Sequence, residues 1–270
     1  MQGKLTRTLS YREVVALSFG AMIGWSWVVM SGTWVINAGS LGAIAAFLLG
    51  GCVVLLVGLT YAELASSMPV AGGEHTYSHR ALGSTASFIC TWSILFGYVS
   101  VVSFEAVALP TVVEYILPNL NHIYLWTILD WDVHASWVMV GVSGAFLISL
   151  INILGIKTAA RIQLLVTGMI IIGGLILLMG ASKAGQISNL SPFFQNQTQG
   201  FLSVLIMVPF MFVGFDVIPQ AAEELNISFK KIGHTIILSI LMAITWYILI
   251  ILAISLSLNY QFLSSSKLPT

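Results

Sequence analysis

Charged side chains are scarce in this sequence. Only 7% of its 270 residues are Asp, Glu, Lys or Arg, and the mean hydropathy is +0.97. Soluble domains carry about 25% charged residues. Between Val14 and Ala62 there is no Asp, Glu, Lys or Arg at all. The composition therefore excludes a water-soluble fold and predicts an integral membrane protein.

The residues that carry catalytic or metal chemistry are also few. Cys52 and Cys90 both lie in apolar segments, as small core residues do. His75 and His79 have i, i+4 spacing, but they lack the HEXXH pattern and a third ligand, so we expect no metal site. No catalytic constellation is evident, and we expect neither enzyme activity nor a cofactor. The polar, basic N-terminus precedes a long apolar run, unlike a cleavable signal peptide.

What the sequence does have is long apolar runs, each near the roughly 20 residues that a helix needs to cross a bilayer. We predict seven spanning helices, hence an all-α fold in one transmembrane domain covering residues 1–270. They cover about residues 14–36, a second stretch ending near 63, then 82–115, 135–154, 162–181, 201–222 and 232–256.

Basic residues predict the orientation of these helices, because cytoplasmic segments carry an excess of Lys and Arg. With the N-terminus inside, the inner segments hold Lys4, Arg7, Arg12, Arg80, Lys157, Arg161, Lys230 and Lys231. The outer segments hold only Lys183 and Lys267, and the long outer loop holds Asp130 and Asp132. Trp126, Trp131 and Trp137 cluster at that outer face, as interfacial aromatics do. We therefore expect a multi-pass protein with a cytoplasmic N-terminus.

The first predicted helix contains an irregular segment, "GAMIGWSW" (20–27). Glycine weakens a helix, and any backbone group that it frees in hydrocarbon needs another partner. One interpretation is that Gly20-x-x-x-Gly24 lets a second helix pack closely. The other is that the helix is broken there.

A second irregular segment, "FMFVGFDVIPQ" (210–220), interrupts the sixth predicted helix with Gly214, Asp216 and Pro219. Proline cannot continue the helical hydrogen bonding, and an ionised Asp costs about 3 kcal/mol at the bilayer centre. Interruptions of the first and sixth helices are typical of transporters built from two inverted five-helix repeats. Freed N–H groups suit an anion and freed carbonyls suit an ammonium group, so the pair fits a zwitterion such as an amino acid.

Three motifs carry a family resemblance across essentially the whole chain. "GAMIGWSWVVMSG" (20–32), "YAELASSMPVAGGEHTYSHRALG" (61–83) and "FVGFDVIPQAAEELN" (212–226) resemble amino acid permeases of the amino acid–polyamine–organocation superfamily. The resemblance implies an inverted-repeat, leucine-transporter-like bundle with broken first and sixth helices. It also implies secondary transport driven by an ion gradient or by exchange. Residues 14–181 would form the first repeat, and 201–256 the first two helices of the second.

Carried over by position, the resemblance places substrate at both interruptions. Backbone N–H groups of the first would hold the α-carboxylate, carbonyls near Ile23 and Val213 would take the ammonium, and Phe210 would cover the substrate. The implied binding residues are Gly20, Ala21, Met22, Ile23, Gly24, Trp25, Ser26, Phe210, Val213 and Gly214. Trp25 and Ser26 depart from the small residue and glycine usual in the family, so the side-chain specificity cannot be transferred.

Ion coupling has three candidates, Glu105, Asp216 and Phe210, the last as a gate. Glu105 lies in the third predicted helix, where a carboxyl can carry a proton, pair with a cationic amine, or bond a neighbouring helix. Asp216 stands where many members have a coupling Glu, and it could equally cap the break, since Asp is a strong N-cap. Some proton-coupled members have a Lys in the fifth helix, but "LLVTGMIII" (164–172) contains none.

The predicted helices number seven, whereas members of this superfamily usually have about ten to fourteen. Three hypotheses follow: part of an amino acid permease, an inactive truncated relative, or a substrate sensor that translocates nothing. A permease for a cationic amine such as a polyamine or ethanolamine is a further alternative. We expect a small amino acid or amine substrate, H+ or Na+ or an exchange substrate, the lipid bilayer of the plasma membrane, and no nucleic acid. An oligomer is left open.

Overall fold

The computed structural model describes residues 7–117, 123–128 and 131–265. Lys4, Asp130 and Lys267 lie outside these ranges. The helices are α1 (Tyr11–Ile23), α2 (Ser26–Ala38), α3 (Ser40–Ser67), α4 (Glu74–Leu82), α5 (Ser84–Ile116), α6 (Ala135–Ile153), α7 (Ile156–Ala184), α8 (Gln197–Met211), α9 (Val217–Gln220), α10 (Phe229–Ser257) and α11 (Tyr260–Ser265). The strands are β1 (Tyr124–Ile128) and β2 (Trp131–His134).

Several of the helices are long and apolar. In the described part of the chain, α3, α5, α6, α7 and α10 are each long and apolar enough to cross a membrane. Together α1 and α2 pass the same test as one span bent by 46°. Helix α8 has only 15 residues, and α9 adds four after a second interruption. The predictions of an all-α membrane protein and of interrupted first and sixth helices are confirmed.

The chain divides into two compact units, Met1–Trp92 with Ala160–Thr270, and Ser93–Ala159. In the first unit, α3 packs along α10. A Cβ atom added at Gly51 of α3 would lie 2.7 Å from Cγ1 of Ile244 on α10. Such small residues let two helices approach closely in a membrane, where burial from water does not drive their association.

Four aromatic rings fill the centre of the first unit. The ring of Tyr247 on α10 lies 5.0 Å from Phe47, 5.5 Å from Phe212 and 5.8 Å from Trp34, between centroids. All four residues are fully buried. Aromatic pairs at these spacings stabilise by about 0.5–1.5 kcal/mol beyond their buried area. This cluster joins α2, α3 and α10 to the end of α8.

Backbone hydrogen bonds connect segments that the basic-residue pattern predicts on the same side of the membrane. The N–H of Thr8 donates to the Glu224 carbonyl at 2.9 Å, and both are predicted inside. The N–H of Ser40 donates to the Pro192 carbonyl at 3.2 Å, and both are predicted outside. The contacts therefore agree with the predicted alternation of the spans.

The second unit contains the hairpin of β1 and β2, which lies in the long predicted outer loop. The strands are antiparallel, with Thr127 opposite Asp132. The Thr127 hydroxyl donates to Asp132 Oδ1 at 2.6 Å. Within the same unit, a Cβ atom added at Gly141 of α6 would lie 2.5 Å from the Ala106 carbonyl of α5, so these two helices are in close contact.

One expectation needs correction. Pro69 and the double glycine predict a cytoplasmic loop for "GGEHTYSHR" (72–80), but residues Glu74–Leu82 form α4. The pattern of burial explains the helix: Glu74 and Tyr77 are buried on one side, while Arg80 and Leu82 are exposed. Gly73, with φ +47, precedes the helix and Gly83, with φ +83, ends it. Positive φ values are readily adopted only by glycine, so the two glycines set the ends of α4.

Candidate functional site

The first interruption consists of Gly24 and Trp25, between the end of α1 and the start of α2. The Gly24 N–H still donates to the Gly20 carbonyl at 3.3 Å. Among the described residues, the N–H groups of Trp25 and Trp27 donate to no backbone carbonyl. Trp25 is 36% exposed. The start of α2 therefore offers hydrogen-bond donors at the positive end of a helix dipole, as an anion requires.

Both interpretations of "GAMIGWSW" hold, at different residues. A Cβ atom added at Gly20 would collide with the side chains of Thr167 and Gln163 on α7. Gly20 is thus a close-packing glycine, while Gly24 lies at the break itself. The helix needs both because α7 packs against α1 one turn before the chain changes direction.

The second interruption runs from Phe212 to Asp216, between α8 and α9. Gly214 has φ +126, a region that residues with a Cβ atom rarely adopt. Its N–H donates to Oδ1 of Asp216 at 3.2 Å. Asp216 also occupies the N-cap position of α9 without bonding the first turn of that helix. The Asp216 side chain therefore bonds the backbone of the break and makes no cap hydrogen bond to α9.

The second interruption packs against the last turn of α1, directly before the first interruption. A Cβ atom added at Gly214 would lie 2.7 Å from Cβ of Ala21 and 3.2 Å from the Met22 nitrogen. The backbone of the sixth-helix break thus lies against the last turn of α1. The structure brings together Ala21, Met22 and Gly214 from the predicted binding set.

Tyr247 bridges the two interrupted helices. Its buried hydroxyl lies 2.8 Å from the Met22 carbonyl of α1 and 3.1 Å from the Met211 carbonyl of α8, and it is the donor in both contacts. Both carbonyls are in last turns, where a helix leaves its carbonyls unpaired. One hydroxyl proton therefore serves two helix ends that meet at the same place.

Two other carbonyls near the breaks have no backbone partner. In the described part of the chain, neither the Ile23 nor the Val213 carbonyl accepts a backbone hydrogen bond. These are the carbonyls expected to take the substrate ammonium. Among the described residues, the breaks thus leave two carbonyls and the N–H groups of Trp25 and Trp27 without backbone partners, and a zwitterion needs both acceptors and donors.

An acidic cluster lies beside the second break. Nε2 of Gln220 donates to Oδ2 of Asp216 at 3.1 Å and approaches Oε2 of Glu74 at 3.5 Å. Burial raises the pKa of Glu74 above its ordinary value of 4.5, and the Asp216 carboxylate raises it further. Burial likewise raises the pKa of Tyr77 to about 12. The cluster connects α4 to the break between α8 and α9.

The other predicted site residues are placed as follows. Phe210 is in the last turn of α8 and is half-buried. Ser26 is the first residue of α2. Glu105 is half-buried on α5 and belongs to the second unit. His75, considered above as a metal ligand, has its Nδ1 2.8 Å from the Thr91 hydroxyl and 3.1 Å from the Ser87 hydroxyl.

Tyr247 and Gln220 are site residues that sequence reasoning missed. Tyr247 is the one hydroxyl-bearing aromatic within the apolar run of α10. A buried Tyr hydroxyl usually has a hydrogen-bond partner, and in hydrocarbon that need is stronger. An isolated Tyr in a spanning helix was therefore a usable signal. Gln220 carried no comparable signal, because its partners are 4 and 146 positions away.

Comparison with known proteins decides the family. The family model described as amino acid permease matches residues 13–268. The chain belongs to the amino acid permease family. The branched-chain amino acid permease BcaP of Bacillus subtilis is 28% identical over 249 residues, 90% of this chain and 53% of the relative. The amino-acid permease RocC of Bacillus subtilis is 30% identical over 230 residues, 83% of this chain and 48% of the relative.

A third relative covers less of this permease-family chain. The aspartate-proton symporter of Bacillus subtilis is 30% identical over 120 residues, 44% of this chain and 23% of the relative. The chain spans about half the length of BcaP and of RocC. The relatives are transporters, which fits the expectation of a protein that is not an enzyme.

Proposed function

We propose that this chain forms the substrate-binding part of a secondary amino acid permease of the plasma membrane, working by symport or exchange. The observation that carries the proposal is the contact between the second break and the last turn of α1, where Gly214 lies against Ala21 and Met22. Family membership and the apolar helices support a multi-pass membrane carrier. The similarity to BcaP, a branched-chain amino acid permease, and to RocC, an amino-acid permease, supports an amino acid as the substrate class.

In this proposal, backbone N–H and carbonyl groups at the breaks bind the two charged ends of the substrate. The N–H groups of Trp25 and Trp27 bind the α-carboxylate at the start of α2, and the Ile23 and Val213 carbonyls bind the ammonium. Phe210 covers the substrate. The remaining predicted residues, Gly20, Ala21, Met22, Gly24, Ser26 and Gly214, shape the backbone around it. Binding by backbone groups fixes the zwitterion and leaves the side-chain preference to neighbouring residues.

Transport is driven by a gradient of H+ or Na+, or by exchange against a second substrate. The relation to an aspartate-proton symporter supports a proton. Asp216 and Glu105 are the coupling candidates within the chain. Asp216 is the better supported, because its carboxylate bonds directly to the Gly214 N–H in the break.

The membrane arrangement completes the proposal. The N-terminus is cytoplasmic, residues 14–181 form a first inverted repeat, and 201–256 begin the second. The backbone bonds of Thr8 to Glu224 and of Ser40 to Pro192 support this alternation, since they join segments assigned to one side.

Paired assays on the full-length protein test the proposal. Uptake of tritiated L-leucine and L-lysine into proteoliposomes is measured beside equilibrium binding in detergent, with the decarboxylated amine of each as competitor. Saturable uptake, blocked by the amino acids but not by the amines, is the expected result. Binding without uptake would make the protein a sensor, and neither would make it an inactive relative. Competition by the amines alone would favour an amine permease.

A further inference from the structure

Glu74 is a buried carboxyl with few hydrogen-bond partners. The residue is only 7% exposed, and its Oε1 has no hydrogen-bond partner among the described residues. Its Oε2 lies 3.5 Å from Nε2 of Gln220, and the Tyr61 side chain also bonds to the carboxyl. A buried carboxylate normally pairs with a cation or accepts several hydrogen bonds. Among the described residues, no Lys, Arg or His forms an ion pair with Glu74.

In the described part of the chain, the titratable groups that face Glu74 include no cation. Tyr61 faces it from α3, Asp216 from the break between α8 and α9, and Tyr77 from α4 itself. The amide of Gln220 is shared between Glu74 and Asp216, and its contact with Asp216 is the shorter. The carboxylate of Asp216 disfavours ionisation of the neighbouring, buried Glu74.

The balance of effects on Glu74 favours the neutral acid. Burial raises its pKa most strongly, and Asp216 adds to the increase. Its own backbone N–H, together with the Tyr61 and Gln220 side chains, lowers the pKa, but by less. The protonated form also needs only one acceptor and presents a donor, which suits a site that has few donors.

We propose that Glu74 is a proton-binding residue of this carrier, which holds a proton while α4 is docked against α9 and releases it to water when the two helices separate. The proposal rests on the proposed carrier function. It adds a residue outside the predicted coupling set, which contained only Glu105, Asp216 and Phe210. The step transfers one proton between the carboxyl and water, and no other bond changes.

A continuous set of contacts links this proton to the substrate site. Glu74 approaches Gln220, Gln220 donates to Asp216, and Asp216 accepts from the Gly214 N–H in the break. Gly214 in turn lies against Ala21. Ionisation of Glu74 would draw the Gln220 amide away from Asp216 and so loosen the support of the break. Proton release at α4 and substrate release at the break are thereby coupled.

Infrared difference spectroscopy of the full-length protein tests proton binding without any substrate. Spectra at acid and alkaline pH are compared for the wild type, Glu74→Gln and Glu63→Gln, the last being an exposed carboxyl of α3. We expect a protonated-carboxyl band that titrates above the ordinary Glu range, absent only from Glu74→Gln. Equal spectra for Glu74→Gln and the wild type would overturn the proposal.

The pH profile of amino acid uptake tests the coupling. Wild-type uptake of L-leucine or L-lysine should fall as the cytoplasmic-side pH is lowered through the titration of Glu74, because acid opposes release of its proton. Glu74→Gln should flatten that profile. Glu63→Gln should keep the wild-type profile. An unchanged profile in Glu74→Gln overturns the coupling. If the wild type shows neither uptake nor binding, that result contradicts the proposed function and not the proton site. The infrared titration then still decides whether Glu74 binds a proton.

Discussion

The hydroxyl of Tyr247 and the carbonyl of Met22 lie 2.8 Å apart, and the same hydroxyl reaches the Met211 carbonyl at 3.1 Å. A single side chain of α10 therefore donates to one carbonyl in the last turn of each of two interrupted helices. In hydrocarbon such carbonyls have no water as an alternative partner. The position of each break thus depends on a residue in a third helix.

Tyr247→Phe removes this bridge and keeps the aromatic ring. Two carbonyls lose their donor, and an unsatisfied buried polar group costs about 1–3 kcal/mol. We expect a lower Tm in detergent and roughly tenfold weaker amino acid binding, since about 1.4 kcal/mol corresponds to a factor of ten. Tyr260→Phe, in the short helix α11, is the control. Equal Tm and affinity in both variants would show that the bridge is not needed.

Gly214→Ala tests the contact between the breaks. The added Cβ would lie 2.7 Å from Cβ of Ala21, and φ +126 would cost the alanine about 1–3 kcal/mol. The two breaks must then separate, so substrate affinity should fall at least tenfold while membrane insertion persists. Gly173→Ala on α7 is the matched control, because no atom lies within 4 Å of the added Cβ. Unchanged affinity in Gly214→Ala contradicts the contact.

Asp216→Asn distinguishes a structural role of Asp216 at the second break from a role in ion coupling. An asparagine oxygen can still accept from the Gly214 N–H, which Asp216 does at 3.2 Å, so the fold and substrate binding should persist. Asparagine cannot bind and release a proton, so a coupling role predicts loss of the pH dependence of uptake. Asp216→Ala removes the acceptor as well and should weaken binding. Equal pH profiles in wild type and Asp216→Asn would leave Asp216 a purely structural residue.

Glu74 makes stability depend on pH in a defined direction. Burial raises its pKa above 4.5 in the folded protein, so its favourable contribution is complete below pH 4.5 and is lost as pH rises through the raised pKa. The Glu74→Gln variant does not lose stability in this way, because a glutamine side chain does not titrate. The Tm difference between Glu74→Gln and wild type should therefore become more positive from acid to alkaline pH. Glu63→Gln should show no such trend, and a constant difference for Glu74→Gln contradicts a buried titrating carboxyl.

The local features of the fold were predictable because their causes are local. Gly24 and Gly214 interrupt apolar runs, so both breaks could be placed from the sequence. Helix α4 was missed because the flanking glycines, Gly73 and Gly83, resemble loop residues as much as helix ends. The burial of Glu74 and Tyr77 on one side of α4 can be recognised only when the surface that covers them is known.

The pairing of distant elements could not be predicted in the same way. Ala21 and Gly214 are far apart along the chain, and no periodicity links them. Tyr247 is 225 positions from Met22, and Gln220 is 146 positions from Glu74. Family resemblance placed substrate at both breaks, but the hydrogen bonds that hold the breaks together depend on packing between helices.

The most direct measurement is equilibrium binding of tritiated L-leucine and L-lysine to the full-length protein, its Gly24→Leu variant and the control Gly173→Leu. Leucine at the first break would place a branched side chain beside the N–H groups of Trp25 and Trp27. We expect binding to wild type and Gly173→Leu, and none to Gly24→Leu despite normal membrane insertion. Retained affinity in Gly24→Leu, or no binding to the wild type, would contradict a substrate site at the paired breaks.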